Sequence, residues 1–153
     1  QDVPLPITLM TMPVVGTMST VITPKFIIDH FSSQVYGDKS KVTDELKDRY
    51  YELLMREGNR DSSKKILGEM KIQAENPQIS DGLASLNNKL PILVMWGRLD
   101  PWVPVTCLER WKKDLPDAEY VIFENEGHTP MEENPDMTAD AAIAFLNQNG
   151  KTE

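Results

Sequence analysis

Asp100 and His128 are the residues of this chain whose types and positions suit joint chemistry. The first follows Pro91-Ile92-Leu93-Val94-Met95-Trp96-Gly97, an apolar, partly β-branched run that reads as a buried strand with a carboxylate just past its end. The second follows Tyr120-Val121-Ile122-Phe123, another short strand, and stands behind Gly127 in the loop after it. If these strands are neighbours, both loops emerge at one edge of a sheet, where open α/β sheets build their sites. An aspartate that accepts a hydrogen bond from one imidazole nitrogen fixes the tautomer and leaves the other nitrogen free to take a proton from a nucleophile. The pair therefore amounts to two thirds of a nucleophile-histidine-acid triad.

Each residue also has a structural use. Asp100 precedes Pro101 and could cap the helix that follows, and His128 could be an ordinary loop residue. Glu132 and Glu133 fit solvated or capping residues better than general acids. Trp102 and Met131 flank the pair and are candidate substrate-binding residues, as is Trp96, with packing an equal reading. Cys107 has no histidine near it in sequence and fits a small buried residue better than a nucleophile. His30, beside Phe26, Ile27 and Phe31 without a ligand pattern around it, fits a structural or exposed role, and no metal-ligand spacing occurs.

The elements that must position the pair are mostly helical before residue 89. Prolines break the first 24 residues too often for one long helix, so the pattern predicts a short apolar helix over 7–12 and a loop through Gly16. Met10, Met12 and Met18 there suit an adaptable pocket wall or ordinary core filling. Thr23-Pro24 reads as an N-cap and first helical residue, opening a helix that ends near Gly37. Thr43 opens a third helix with Asp44 and Glu45 in its first turn, Gly58 past its end and Leu46, Tyr50, Leu53 and Leu54 as an apolar stripe. Asp61 is placed to cap a fourth helix carrying Ile66, Leu67, Met70 and Ile72, which Asn76-Pro77 stops; a short helical turn over 80–86 then leads to the first strand. Between the strands, residues 104–115 read as a helix burying Leu108, Trp111 and Leu115. Asn134-Pro135 opens a last helix whose Met137, Ala141 and Phe145 would cover the sheet.

Composition bounds the function classes. At 153 residues and 40% hydrophobic, the chain can fill one core domain, and no apolar run approaches the length of a membrane span. A net charge of −8 disfavours binding to nucleic acid or anionic membranes, both of which need a basic face. The single cysteine cannot form an internal disulfide, which fits a reducing, cytoplasmic setting.

The strand followed by Gly97-x-x-Asp100-x-x-Val103-Pro104, then Gly127-His128 and Glu132-Glu133-x-Pro135, resembles the C-terminal part of an α/β-hydrolase. The resemblance implies an α/β fold in which residues 89–153 form the C-terminal part of the hydrolase core and residues 1–88 a mostly helical cap or lid. It implies an enzyme acting on small, largely apolar esters or related compounds, with Asp100 orienting His128, and with no metal and no organic cofactor. That family carries its nucleophile earlier in the chain, on a G-x-S-x-G turn. None of Ser19, Ser32, Ser33, Ser40, Ser62, Ser63, Ser80 and Ser85 lies between such glycines, nor does Cys107 or any aspartate. The nucleophile is therefore expected on an N-terminal portion of the same hydrolase, a partner without which this polypeptide is inactive.

A serine there would mean esterase or carbon-carbon bond hydrolase chemistry, an aspartate epoxide hydrolase or haloalkane dehalogenase chemistry. Epoxide hydrolases of this fold use two cap tyrosines, but Tyr50 and Tyr51 are adjacent and would point roughly 100° apart on a helix. Tyr36 is the alternative companion for Tyr50, with packing as the other reading. The noncatalytic alternative is a lid and partner-binding fragment whose uncovered sheet edge docks with another chain or with itself.

Overall fold

The computed structural model describes residues 8–9, 11–75, 84–87 and 89–150, the side chains of 73–75 excepted. They fall into two compact units, one of Gln1–Ser33 with Val42–Gln78 and one of Gln34–Lys41 with Ile79–Glu153. The second unit thus takes in a short segment from the middle of the helical region, which the contiguous 1–88 and 89–153 division does not anticipate. The reason is burial: Val35 and Tyr36 belong to the second unit's core.

In the first unit, helices α1 (Pro13–Val21), α2 (Lys25–Gln34), α3 (Asp44–Met55) and α4 (Asn59–Glu75) follow one another, with α4 packed against α1 and α3. The loop expected through Gly16 is instead helix α1. Pro13 sits in its first turn, where a missing N–H costs nothing, and Gly16 is buried within it. Thr23 does not cap α2; its hydroxyl donates back to the Ser19 carbonyl and closes α1. Thr43 does cap α3, accepting from the Leu46 amide at 3.2 Å. Helix α4 starts before Asp61, which therefore lies in its first turn, and Gly58 makes the preceding turn at φ 79°.

Of the apolar stripe expected on α3, Leu46, Tyr50 and Leu54 are half-buried, while Leu53 is exposed and the helix has no fully buried residue. Met12 and Met18 are exposed too. A cavity of about 400 Å³ in this unit is walled instead by Leu9, Ile22, Ile27, Phe31, Leu54 and Leu67 among others. Met10 and most of the turn expected over 80–86 lie outside the described residues.

In the second unit, β1 (Leu93–Gly97) and β2 (Glu119–Phe123) pair in parallel, in register from Leu93 opposite Glu119 to Gly97 opposite Phe123. Parallel neighbours need a crossover, here a 3₁₀ turn (Val105–Cys107) and helix α5 (Leu108–Asp114). Leu108 at the start of that helix and Leu115 just past its end are deeply buried, joined in the core by Val94 and Phe123. A four-residue helix α6 (Pro130–Glu133) follows β2, and Asn134 then caps α7 (Pro135–Asn149) by accepting from the Met137 amide. Helix α7 packs on β1, with Ala141, Ala142 and Phe145 half-buried and Met137, Ile143 and Leu146 exposed. Because the two strands end level, Asp100 and His128 leave the sheet from the same edge.

Candidate active site

The backbone of the two loops is tied together before any side chain takes part. Past the strand ends, Arg98 N–H donates to the Phe123 carbonyl at 2.8 Å and Leu99 N–H to the Glu126 carbonyl at 2.9 Å. This continues the pairing of β1 and β2 into the turn that carries Asp100. Gly97 and Gly127 make the approach possible: a Cβ on Gly97 would lie well inside contact distance of the Glu126 and Gly127 carbonyl oxygens. His128 N–H donates to the Val35 carbonyl at 2.7 Å, so the segment Gln34–Lys41 fixes the histidine's backbone from the other side.

Asp100 is buried, and its two oxygens do different work. Oδ1 accepts from the amides of Trp102 and Val103, both at 2.8 Å, and Oδ2 lies 2.8 Å from His128 Nδ1. The capping use foreseen for Asp100 is therefore real in a changed form. It caps the turn at 101–103, whereas α5 begins only at Leu108 after Cys107, which makes no side-chain cap. The backbone donors orient the carboxylate, and the carboxylate orients the imidazole.

The His128 side chain is 36% exposed, and among the described residues its Nε2 has no hydrogen-bond partner. Its pKa is raised above the ordinary 6.5, first because the hydrogen bond that the ring donates to the Asp100 carboxylate favours the charged ring, with the carboxylate's charge adding; partial burial works in the opposite direction. A histidine so held offers one free nitrogen of defined tautomer, the arrangement a general base needs.

The other sequence candidates divide. The Trp102 ring lies 5.7 Å from the His128 ring, tilted by 40°, and so flanks the free imidazole. Met131 is exposed on α6. Trp96 is committed to packing: its Nε1 donates to the Val103 carbonyl and its ring meets Trp111 edge-on. Cys107 is half-buried, and His30 is exposed, edge-on to Phe31. Tyr36 is buried, with its hydroxyl donating to Glu132 at 2.6 Å. Among the described residues no group of three or more His, Cys, Asp or Glu side chains could hold a metal ion.

Of the two glutamates read as solvated or capping residues, Glu132 is exposed, whereas Glu133 is buried and accepts backbone amides far from any helix start of its own. It is 5% exposed, its Oε1 accepts from Gly127 N–H at 2.6 Å, and its Oε2 accepts from Gly37 N–H at 2.8 Å and Asp38 N–H at 3.2 Å. Glu126, also buried, accepts from the Asn125 amide and from Asn134 Nδ2. The available signal was Pro130: a proline opening a short helix at that point turns Glu133 back toward the loop it follows. Nothing in the sequence marked the Gly37 and Asp38 amides as its partners.

A family model described as the alpha/beta hydrolase fold matches residues 23–135, and the chain belongs to that family. Over 57 residues it is 40% identical to Lipase 1 of Psychrobacter immobilis, a stretch that is 37% of this chain and 18% of the lipase. Among solved structures, a variant of the meta-cleavage product hydrolase CumD superposes with a TM-score of 0.69 at 22% identity, over 83% of this chain and 47% of that one. A thermophilic esterase superposes with a TM-score of 0.66 at 20% identity, over 97% of this chain and 52% of that one. At these identities the structural likenesses speak for the fold, and the chain spans about half the length of these structural neighbours. Among the described residues no helix is long and apolar enough to cross a membrane.

Proposed function

We propose that Asp100 and His128 are the acid and the general base of a triad in a hydrolase of small, largely apolar esters, with the nucleophile supplied by an N-terminal portion outside this sequence. The observation that carries the reading is the 2.8 Å contact between Asp100 Oδ2 and His128 Nδ1, with Oδ1 independently anchored by two backbone amides. In the proposed cycle, His128 Nε2 takes the nucleophile's proton as that atom attacks the ester carbonyl carbon. The imidazolium, stabilised by Asp100, returns the proton to the departing alkoxide. His128 then deprotonates water, which attacks the covalent intermediate, and the imidazolium returns that proton to the departing nucleophile as the carboxylic acid is released.

The names of the relatives, a lipase and an esterase, favour a serine nucleophile over an aspartate. The helical unit is proposed as a lid: it exposes Met18, Val21, Ile22, Phe26 and Ile66, and its apolar cavity of about 400 Å³ suits a small hydrophobic group. The single cysteine accords with a cytoplasmic setting. Among the described residues β1 has a strand neighbour on one side only, which supports a partner strand from the N-terminal portion and makes self-association the competing outcome.

The test uses the denatured intact mass of the native sample to find any companion polypeptide, then short-chain p-nitrophenyl ester turnover by the chain alone and with that companion. Turnover is expected only when the nucleophile segment is present, with His128→Ala lowering it by about 10³-fold or more. Activity retained within tenfold in the variant would refute the dyad's role. Turnover by the 153-residue chain alone, abolished by the same substitution, would refute the placement of the nucleophile elsewhere.

A further inference from the structure

We infer that Glu133 is a positioning residue for His128, a buried carboxylate that clamps the histidine loop to the segment Gln34–Lys41 through three backbone amides. The inference deepens the proposed role of His128 and rests on it. Three observations carry it. Glu133 lies among the least exposed charged side chains, yet among the described residues its side chain makes no ion pair; its partners are the N–H groups of Gly127, Gly37 and Asp38. Those amides come from two strands of chain about ninety residues apart, and Gly127 is the residue immediately before His128. The two segments also meet backbone to backbone, because a Cβ on Gly37 would sit within 2.9 Å of Asn125, Glu126 and Gly127 atoms.

Other groups close around this junction from every packed element. Lys41 Nζ donates to the Glu133 carbonyl at 2.8 Å, Tyr36 donates to the neighbouring Glu132, and Glu126 holds Asn134 at the start of α7. Val35 in turn receives the His128 amide. Removing the Glu133 carboxylate would therefore free both sides of the clamp on His128, although Glu133 itself touches neither imidazole nor Asp100. A carboxylate accepts at both oxygens, whereas an amide of the same shape must turn an NH₂ group toward at least one of these N–H donors. Retaining the two bonds of Gly37 and Asp38 leaves Gly127, the link to His128, without a partner.

The experiment is an NMR titration of the histidine ring protons in the 153-residue chain and in Glu133→Gln; with only His30 and His128 present, the two signals are readily separated. In the unmutated chain His128 is expected to titrate above the ordinary 6.5, and in the variant its midpoint is expected to fall toward that value as the contact with Asp100 loosens. Amide exchange at Gly127 should accelerate about tenfold or more in the variant. An unchanged His128 midpoint in a folded variant would overturn the proposal. If the variant does not fold, hydrogen exchange in the unmutated chain decides: a common protection factor for Gly37, Asp38 and Gly127 supports one clamp, and unrelated rates overturn it. Failure of the reading beneath it looks different, because His128 would then titrate as a free imidazole in the unmutated chain itself.

Discussion

Replacing Asp100 by asparagine separates the two uses of its carboxylate. The Trp102 and Val103 amides, each 2.8 Å from Oδ1, hold an oxygen in that position, so the asparagine's NH₂ must occupy the place of Oδ2 and point at His128 Nδ1. Nδ1 is then forced to accept, the ring proton moves to Nε2, and the nitrogen that should serve as base becomes a donor. The turn stays capped while the tautomer is inverted. Ester turnover by the protein holding the nucleophile is expected to fall about 10³–10⁴-fold, with KM changed far less.

The same substitution has a stability signature whose sign follows from the direction of the shift. The pKa of His128 is raised in the folded protein, so its stabilisation is fully present below the unfolded value of 6.5 and is lost as pH rises through the higher folded midpoint. A hydrogen bond to a charged group contributes about 1.5–3 kcal/mol. The imidazole is 36% exposed, and solvent screening reduces the usable part to about 1 kcal/mol. Urea unfolding of the parent and Asp100→Asn at about pH 5.5 and about pH 9 should therefore show a stability gap about 1 kcal/mol larger at the acidic value. The acidic limb of kcat/KM should lie above 6.5 in the parent. A gap equal at both pH values, together with turnover within tenfold of the parent, would refute the assignment of Asp100 as the orienting carboxylate.

Two further substitutions test how the site is built. Gly97→Ala drives a methyl group into the Glu126 and Gly127 carbonyls, and since both neighbours are backbone, a loss of about 3 kcal/mol is expected by chemical denaturation; a loss under about 0.5 kcal/mol would mean the loops yield freely. Leu115→Ala, at 0% exposure, should cost about 2–5 kcal/mol, whereas Leu53→Ala, at 38%, should stay within about 1 kcal/mol; equal losses would contradict the location of the core in the second unit.

The pair at the centre of the site was legible because strand endings are written locally. An apolar run closed by Gly97 and an aromatic run closed by Phe123 identify β1 and β2 within two residues, and level parallel pairing then brings the following loops together. The cap at Thr43 and the proline start of α7 were legible for the same reason, since each depends on neighbours in sequence. Helix α1 was misread because Pro13 was taken as a breaker when it occupies the one turn that tolerates it. The segment Gln34–Lys41 could not be assigned from sequence: its place is set by Val35, Tyr36, Gly37 and Asp38 meeting residues about ninety positions away. Glu133 was misjudged for that reason, as its partners are main-chain amides that carry no residue-specific signal.

These long-range bonds explain how an imidazole that is partly exposed can still be held in one orientation. Side-chain packing alone would leave His128 poorly restrained, since among the described residues Trp102 is the one ring that flanks it. The restraint instead comes through the main chain on either side of it: Gly127 N–H is held by Glu133, His128 N–H by Val35, and the neighbouring turn by Leu99 and Glu126. Three buried acids, Asp100, Glu126 and Glu133, each accept backbone N–H groups, so the charge is compensated by fixed dipoles that do not depend on long flexible partners. Such a frame leaves Nε2 without a hydrogen-bond partner among the described residues while confining Nδ1 to Asp100, which is the asymmetry a general base requires. It also predicts that substitutions at the amide-binding carboxylates should disturb the His128 titration more than substitutions at the exposed Met131 on α6.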